Sequence, residues 1–435
     1  MVGSKAAPGG HLGKHRNTPP KPAAKRYRPV VIQAVQQALV SQYFKKHGTN
    51  IRGSSVVGCG RWNAGKDRTS GRAEFEIGGA GGARRVQTFR CGSNWTCEVC
   101  ARANVARYRS WIRAGLMPAL EAAGKSASLV TLTLSHHYGE NWGEVTRRLL
   151  AAFGVFDKRM AKAYKKAGYI GKVKSFEVTV GKNGLHPHFH LLVTHDKDAD
   201  VEQLEVAMRA AWEKAVTEEG GRCTEHGFDF KANCINDYVA KMESAHELSS
   251  QNTKQGRKKG RTLSQLLDAT YRGDQTAAHE WTRAIQALEG VNRFNAGALP
   301  KKLGIPTPSE WEDEEEDSDQ GELDLAEDPT VVDFPLDDVL QATHPSLGRP
   351  GMAMILRALD RGGEAGGRAM LDGLLRDYVR TRAPWAPAWM SSAADQGGAP
   401  AIIETAKTRP LTRDEVAEYL RVIKNRSASC ALATA

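Results

Sequence analysis

Three histidines occur within five residues of the chain, in the run His186-Pro-His-Phe-His190. In an extended strand, residues two apart point to the same face, so His188 and His190 would lie side by side while Phe189 points into a core. Two neutral imidazoles at that spacing can bind one divalent cation. The run therefore predicts a β-strand with a metal site on one face and apolar side chains on the other. A strand with solvent-facing histidines is the alternative.

The segment before the histidines supplies a candidate third ligand. Residues 173–180 have strand composition, and Gly181-Lys-Asn-Gly184 is typical of a tight turn, so we predict a β-hairpin with the histidine strand. Glu177 could then meet the two histidines across the hairpin, and we expect it to complete the metal site. An exposed strand glutamate is the alternative. His186 precedes a proline and is expected to shape the turn.

The order of the predicted elements indicates the fold class. A strand at 128–134 is followed by a basic amphipathic helix at 143–167, then by the hairpin and a helix at 198–219. This order is typical of an α+β fold in which helices cover one face of a small antiparallel sheet. We expect that layer in residues 111–305, preceded by a zinc-ribbon-like module at 51–110.

The two ends of the chain are expected to be simpler. Residues 1–50 are interpreted as a basic, largely disordered arm with a short helix as an option at 30–47. Residues 306–345 are interpreted as an acidic linker, and 346–435 as a helical C-terminal region of unknown role. No run approaches the roughly 20 apolar residues of a membrane span, and the N-terminus lacks the apolar core of a secretory signal. We therefore expect a cytoplasmic protein.

Four of the seven cysteines have the spacing of metal ligands. Cys91, Cys97 and Cys100 form a C-x5-C-x2-C pattern, and Cys59 lies upstream of a strand-like stretch at 72–86. Four thiolates in a tetrahedron suit structural Zn²⁺. The pattern predicts a zinc ribbon in a reducing compartment, and buried free cysteines are the alternative.

Charge is distributed unevenly along the chain, whose formal net charge is +11. Residues 1–66 contain 12 Lys or Arg and no Asp or Glu, whereas residues 303–348 contain 15 Asp or Glu and no Lys or Arg. Outside that acidic block, the chain has the excess of positive charge that is typical of nucleic-acid-binding proteins. A basic protein tuned for solubility is the alternative.

Basic side chains concentrate in two segments. The predicted helix at 101–120 interleaves arginines with Tyr108 and Trp111, and the loop at 249–261 is polar and basic. Both segments are candidates for contact with phosphates, which would give affinity without sequence preference. The candidate DNA-binding residues are Arg102, Arg107, Arg109, Lys254, Arg257, Lys258 and Lys259.

A tyrosine downstream of the histidines is a candidate nucleophile. Tyr238 and Lys241 are three residues apart in Asn236-Asp-Tyr-Val-Ala-Lys241, so they share one face if this segment is helical. A packing tyrosine and an ion pair between Lys241 and Asp237 are the alternatives.

These motifs, taken in order, resemble a known family. Thr131-Leu-Thr133, the histidine run and Tyr238-Val-Ala-Lys241 are similar to the three ordered motifs of the HUH endonucleases, in particular the plasmid rolling-circle replication initiators (Rep proteins). The cysteine block and the segment from Gly260 to Ile305 also resemble regions of these proteins. The resemblance covers about residues 51–305.

The resemblance implies a specific reaction. Members of the family cut one strand of a plasmid origin through a tyrosine, here Tyr238, which leaves a 5′-phosphotyrosyl bond and a free 3′-hydroxyl that primes replication. It implies a catalytic Mg²⁺ or Mn²⁺ held by His188 and His190, and a supporting role for Lys241. The implied partners are origin DNA, single-stranded at the nick site, and a host helicase and polymerase, with a homodimer as an option.

The chain departs from part of the family at one position. Some relatives with a single tyrosine carry a glutamate four residues before it, which activates water for the terminating cleavage, and that position is Cys234 here. Asp229, Asp237, Glu243 or the tyrosine of a second protomer are the candidates to replace it. Two other functions stay open at this point, an HUH-type transposase and a non-catalytic zinc-dependent DNA-binding repressor.

Overall fold

The computed structural model describes residues 27–47, 54–78, 82–232, 260–311, 330–345 and 350–380. These residues form an α+β fold with two antiparallel sheets. The strands are β1 (Arg72–Ile77), β2 (Ala83–Arg85), β3 (Lys125–Thr133), β4 (Lys172–Gly181), β5 (Gly184–Asp196), β6 (Phe228–Lys231), β7 (Phe294–Asn295) and β8 (Thr330–Pro335). The helices are α1 (Arg28–His47), α2 (Ser54–Gly58), α3 (Glu98–Ser110), α4 (Met117–Ala122), α5 (Trp142–Arg159), α6 (Ala161–Lys166), α7 (Val201–Glu218), α8 (Leu263–Tyr271), α9 (Gln275–Ala287), α10 (Leu299–Leu303), α11 (Leu336–Ala342) and α12 (Gly351–Arg380).

The larger sheet has five strands in the order β6-β3-β5-β4-β7. The hairpin expected from the sequence is present, because β4 and β5 pair antiparallel up to Gly181 opposite Gly184. Gly184 has a φ of +95°, a backbone conformation that residues with a Cβ atom rarely adopt, so the turn requires a glycine there. The histidine strand β5 lies at the centre, between β3 and β4, where its register is fixed from both sides.

One face of this sheet carries the main hydrophobic core. Val130, Leu132, Phe189 and Leu191 point to this face and are buried against apolar side chains of α1, α5, α7, α8 and α9. Phe189 lies edge-on to Phe176 of β4, with ring centroids 4.9 Å apart. The alternation of apolar and polar residues in β3 and β5 therefore directs the polar positions to the opposite face.

The opposite face is covered only at one end. Leu129, Val173 and Leu192 are buried there against Trp111 and Leu116, which belong to a π-helical segment (Trp111–Leu116) that links α3 to α4. The expectation of helices on one face alone is therefore wrong. The alternation of β5 stops after His190, where three consecutive apolar residues follow, so both faces need an apolar cover at this end.

A smaller sheet, in the order β2-β1-β8, joins residues from two regions that were expected to be separate, 51–110 and 306–345. The strand-like stretch at 72–86 forms β1 and β2, and β1 also pairs with β8 in the register Ala73 opposite Phe334. Strand β8 and helix α11 lie within the segment 306–345. The prediction that this whole segment is a linker is therefore wrong for residues 330–342. Their apolar residues, including Phe334, form a second core with α12.

Helix α1 (Arg28–His47) lies where the sequence left a short helix open at 30–47, and it is packed into both cores. Val31 and Tyr27 are buried in the second core, whereas Ile32 and Leu39 are buried in the main core. The basic residues of 1–26 lie outside the described part of the chain. Among the described residues, no helix combines the length and the apolar character needed to cross a membrane.

Candidate metal centres

Glu177, His188 and His190 converge on the face of the five-stranded sheet opposite the main core, where their side chains are largely buried. Glu177 lies directly opposite His188 in the β4–β5 pair, and His190 follows two residues later on the same face. The Oε2 atom of Glu177 lies 3.5 Å from Nε2 of His188 and 3.5 Å from Nε2 of His190. One ligand atom from each of the three residues lies within 4.8 Å of the others, a separation that one cation can bridge.

The surroundings prepare these side chains to act as ligands. Thr131 of β3 is opposite His190, and its Oγ1 lies 3.0 Å from Nδ1 of that imidazole, which leaves Nε2 to face Glu177. Burial by itself would raise the pKa of Glu177, but the charges of His190 and His188 and their hydrogen bonds outweigh it and hold the pKa well below its usual range. Glu177 is therefore a carboxylate, and two imidazoles with one carboxylate suit a divalent cation.

Two further histidines extend this row beyond His188. The ring of His186 is 5.6 Å from that of His188, and Nδ1 of His186 lies 3.1 Å from Nε2 of His136. His186 is not among the three clustered ligands, and it lies within β5 opposite Thr179, so it does not form part of the turn as expected. Burial lowers the pKa of His136, so this imidazole favours its neutral form. Sequence reasoning did not select His136, although it follows directly on the strand that carries Thr131.

The four cysteines selected from the sequence form a second cluster. The Sγ atom of Cys59 lies 3.6 Å from those of Cys97 and Cys100, and the Sγ atoms of Cys91 and Cys100 are 3.7 Å apart. A tetrahedral Zn²⁺ with bonds of about 2.3 Å would separate its sulfur ligands by about 3.8 Å, so the cluster fits zinc. Cys97 is the N-cap residue of α3, and Cys100 lies in the first turn of this helix, which places both sulfurs near its start.

Hydrogen bonds among the four clustered thiols shift their pKa values in opposite directions. Hydrogen bonds from the other three cysteines lower the pKa of Cys100, whereas hydrogen bonds within the cluster raise that of Cys97. Packed sulfurs cannot all ionise together without a positive charge between them. A bound metal such as zinc would let all four act as thiolates.

Buried glutamines of α1 surround the cysteine cluster. Gln37 donates hydrogen bonds from its Nε2 to the carbonyl oxygens of Val56 and Cys59, at 3.1 and 2.9 Å. Gln33 donates to Sγ of Cys97 at 3.5 Å. Sequence reasoning missed these contacts. Their signal was the presence of three glutamines, an unusual residue type for a core, inside the apolar run of residues 31–40.

Arg293 and Trp95 connect the two centres. The guanidinium of Arg293 lies 5.2 Å from the ring of Trp95 and donates to the carbonyl oxygen of Asn94 at 3.2 Å. The Arg293 carbonyl oxygen accepts a hydrogen bond of 2.7 Å from the backbone of Phe176, the neighbour of Glu177. Burial lowers the pKa of Arg293 although Glu177 and Glu98 oppose that shift. No sequence pattern indicated this role for Arg293.

The candidate DNA-binding residues have different surroundings. Arg102 forms an ion pair of 2.8 Å with Glu98 in which both side chains are about nine-tenths buried, so its guanidinium is engaged inside the protein. Arg107 and Arg109 lie on α3 and are half-buried. The remaining predicted site residues lie outside the described part of the chain, namely Tyr238, Lys241, Lys254, Arg257, Lys258 and Lys259.

Comparison with known proteins gives no relative from which a function could be transferred. The chain matches no family model, no curated protein and no solved structure. Its function is therefore argued from the motifs and from the chemistry of the two centres.

Proposed function

We propose that this chain is a rolling-circle replication initiator of the HUH type, which nicks one strand of a plasmid origin and later rejoins it. One observation carries the proposal. Thr131, in the first of the three ordered motifs, hydrogen-bonds the metal-facing His190 of the second motif, and Glu177 completes a three-ligand site on the same face. The third motif, around Tyr238, supplies the nucleophile by resemblance alone.

The reaction is a transesterification. The hydroxyl oxygen of Tyr238 forms a bond to the scissile phosphorus, and the bond from phosphorus to the 3′-oxygen breaks. The tyrosyl oxygen then carries the 5′-phosphate, and the 3′-oxygen takes up a proton to become the primer. Because the phosphodiester energy is retained in the phosphotyrosyl bond, rejoining needs no ATP.

The residues of the sheet prepare the scissile phosphate for this attack. Glu177, His188 and His190 would hold Mg²⁺ or Mn²⁺, which when bound polarises a phosphate oxygen and fixes its orientation. A tyrosine hydroxyl ordinarily titrates at about pH 10, so a cation near it is needed to favour its ionised form. Lys241 is the candidate from the sequence for that cation.

Asp229 is the candidate for water activation at termination, given that Cys234 occupies the position of the family's glutamate. Asp229 is opposite Thr131 in the β6–β3 pair, and Thr131 is opposite His190, so all three share one face of the sheet. Asp229 is exposed and lies two strand spacings, about 10 Å, from His190. The other acidic candidates, Asp237 and Glu243, lie outside the described residues.

A covalent-capture experiment tests the proposal without knowledge of the origin sequence. The full chain is incubated with Mn²⁺ and a library of single-stranded DNA of random sequence, and adducts that survive denaturation are isolated. We expect the DNA to be attached through a tryptic peptide that contains Tyr238, and sequencing of the captured strands to reveal a common nick site.

Three variants sharpen that experiment. Tyr238→Phe is expected to abolish the adduct and retain DNA binding, because only the hydroxyl is removed. Tyr138→Phe and Tyr271→Phe remove exposed tyrosines of the described chain and are expected to retain the adduct. If no adduct forms with any DNA, while DNA binding and zinc content are normal, the chain is a non-catalytic DNA-binding protein and the proposal is wrong.

A further inference from the structure

A polar cleft of about 340 Å³ lies at the edge of the five-stranded sheet, between α3 and the segment 292–309. Its volume falls within the range of small-ligand pockets. The residues that give it chemical character are Arg107, Tyr108, Asn292, Phe294, Asn295 and Ser309. Among the described residues, no Asp or Glu lines this edge cleft.

The edge cleft combines an aromatic surface with a cation and amides. Tyr108 stacks on Phe294 with ring centroids 4.6 Å apart. Nearby, Trp111 donates a hydrogen bond of 2.8 Å to the carbonyl oxygen of Pro306. The Arg107 guanidinium donates from Nη2 to Oδ1 of Asn104 at 2.5 Å, and its buried Nε has no hydrogen-bond partner among the described residues. Asn292 and Asn295 are exposed, so their amides are accessible to a ligand.

This combination matches a nucleotide. Aromatic side chains bind the π-face of any nucleobase, a guanidinium binds phosphate, and amides hydrogen-bond the edges of bases. A cleft without carboxylates does not repel a phosphodiester backbone.

The edge cleft is aligned with the Glu177–His188–His190 site. His190 is opposite Ser175 in the β5–β4 pair, and Ser175 is opposite Phe294 in the β4–β7 pair, so the three residues share one row and one face of the sheet. Phe294 thus lies two strand spacings, about 10 Å, from His190. A single DNA strand with a phosphate at His190 could place a neighbouring base against Tyr108.

A second cleft of about 260 Å³ continues the path around strand β7. It shares Asn295, Ala296 and Gly297 with the edge cleft, and its charged lining consists of Lys172, Lys174, Lys302 and Asp157, which forms an ion pair with Lys172. Lys174 lies on the core face of the sheet, with its ammonium 4.8 Å from the ring of Phe153. With three lysines and one aspartate, this second cleft has a net positive charge that favours a strand as it leaves the edge cleft.

We propose that the edge cleft binds one nucleotide of single-stranded DNA beside the nick site, with its base on Tyr108 and its phosphate near Arg107. This inference rests on the proposed function. It assigns to Arg107 and Tyr108 a role that positions the strand, and it leaves the reacting atoms to the Glu177–His188–His190 site.

Binding of a labelled strand tests the inference. Fluorescence anisotropy of a fluorescein-labelled oligothymidine strand is measured with the full chain and its variants over a range of salt concentrations. Tyr108→Ala is expected to weaken binding about tenfold, as is typical for the loss of one base-stacking aromatic. Arg107→Ala is expected to weaken binding and to lower the salt slope by about one unit.

Matched controls separate the cleft from general charge and folding. Arg147→Ala removes an arginine that is 73% exposed on α5, and Gln286→Ala removes an exposed amide on α9; both are expected to bind as the wild type does. Asn292 is exposed, so Asn292→Ala tests the cleft without disturbing the core, and we expect weaker binding. Melting curves followed by circular dichroism verify that each variant is folded.

Adduct formation with the DNA library is measured in parallel. If folded Arg107→Ala, Tyr108→Ala and Asn292→Ala bind the strand as tightly as the wild type, the cleft is not a nucleotide site, whereas an adduct through Tyr238 would still support nicking. If the variants lose binding and the wild type forms no adduct, the cleft binds DNA, and the proposal that the chain nicks DNA is wrong. If the wild type neither binds the strand nor forms an adduct, both ideas are overturned.

Discussion

The indole nitrogen of Trp95 donates a hydrogen bond of 2.8 Å to the carbonyl oxygen of Val291. Trp95 lies between two of the clustered cysteines, whereas Val291 leads into strand β7 at the edge of the sheet that carries the histidines. The same indole lies edge-on to Phe176, with ring centroids 6.1 Å apart. The segment between the cysteines therefore packs against the strand that holds Glu177, so the two candidate metal centres share one structural support.

Trp95→Ala is expected to weaken the affinity of the Glu177–His188–His190 site for Mn²⁺ although Trp95 contacts no ligand. The substitution removes the ring that packs against Phe176 of β4 and against the guanidinium of Arg293, the residue before β7. The concentration of free Mn²⁺ is measured by electron paramagnetic resonance during a titration with Mn²⁺. Trp95→Phe retains ring packing and loses the hydrogen bond, so we expect a smaller effect. Unchanged affinity in a folded Trp95→Ala protein would show that the centres are independent.

Cys97→Ser is expected to reduce the zinc content of the purified chain well below one ion per molecule. The substitution replaces a sulfur that is buried inside the four-cysteine cluster with an oxygen that binds Zn²⁺ less well. Zinc is measured by inductively coupled plasma mass spectrometry after dialysis. Cys223→Ser is the matched control, because Cys223 lies outside the cluster, and its zinc content should equal that of the wild type. Full zinc content in both variants would remove the zinc assignment.

Thr131→Val is expected to weaken Mn²⁺ binding about 10- to 100-fold, the usual effect of losing a partner that orients a ligating histidine. The change keeps the size of the side chain but removes the hydroxyl that contacts Nδ1 of His190. His188→Ala, which removes a ligand outright, should weaken binding further, whereas His226→Ala removes an exposed histidine and should have no effect. Calorimetric titration with Mn²⁺ gives the affinities of the wild type and of the three variants. Equal affinities for wild type and His188→Ala would contradict the metal site.

Arg61→Ala is expected to lower the free energy of unfolding by about 3 kcal/mol, because it leaves buried hydrogen-bond acceptors without their donor. The Arg61 guanidinium donates to the carbonyl oxygens of Val57 and Leu340 and to Oγ1 of Thr343, which ties the cysteine cluster to α11. Burial lowers its pKa to about 10, so it remains a cation at neutral pH. Urea unfolding measures the change. Arg72→Ala, which breaks an exposed ion pair with Asp333, should have little effect, and equal losses would contradict this assignment.

The sequence by itself determined the local parts of this protein. Alternation in a strand fixed the shared face of His188 and His190, the glycine turn fixed the hairpin that brings Glu177 opposite them, and the spacing of the cysteines fixed which thiols cluster. These features depend on residues that are close in the chain, or on a residue type with a narrow chemistry, so the pattern is sufficient to predict them.

Only the tertiary structure decided the contacts between distant parts of the chain. The pairing of β1 with β8, the cover of the second sheet face by Trp111, and the placement of Gln37 and Arg293 around the two centres join residues that are far apart in sequence. Such contacts form because buried apolar faces and buried polar groups must find partners wherever the fold provides them. A single sequence shows which residues must be buried or paired, but it does not show which distant residues they contact.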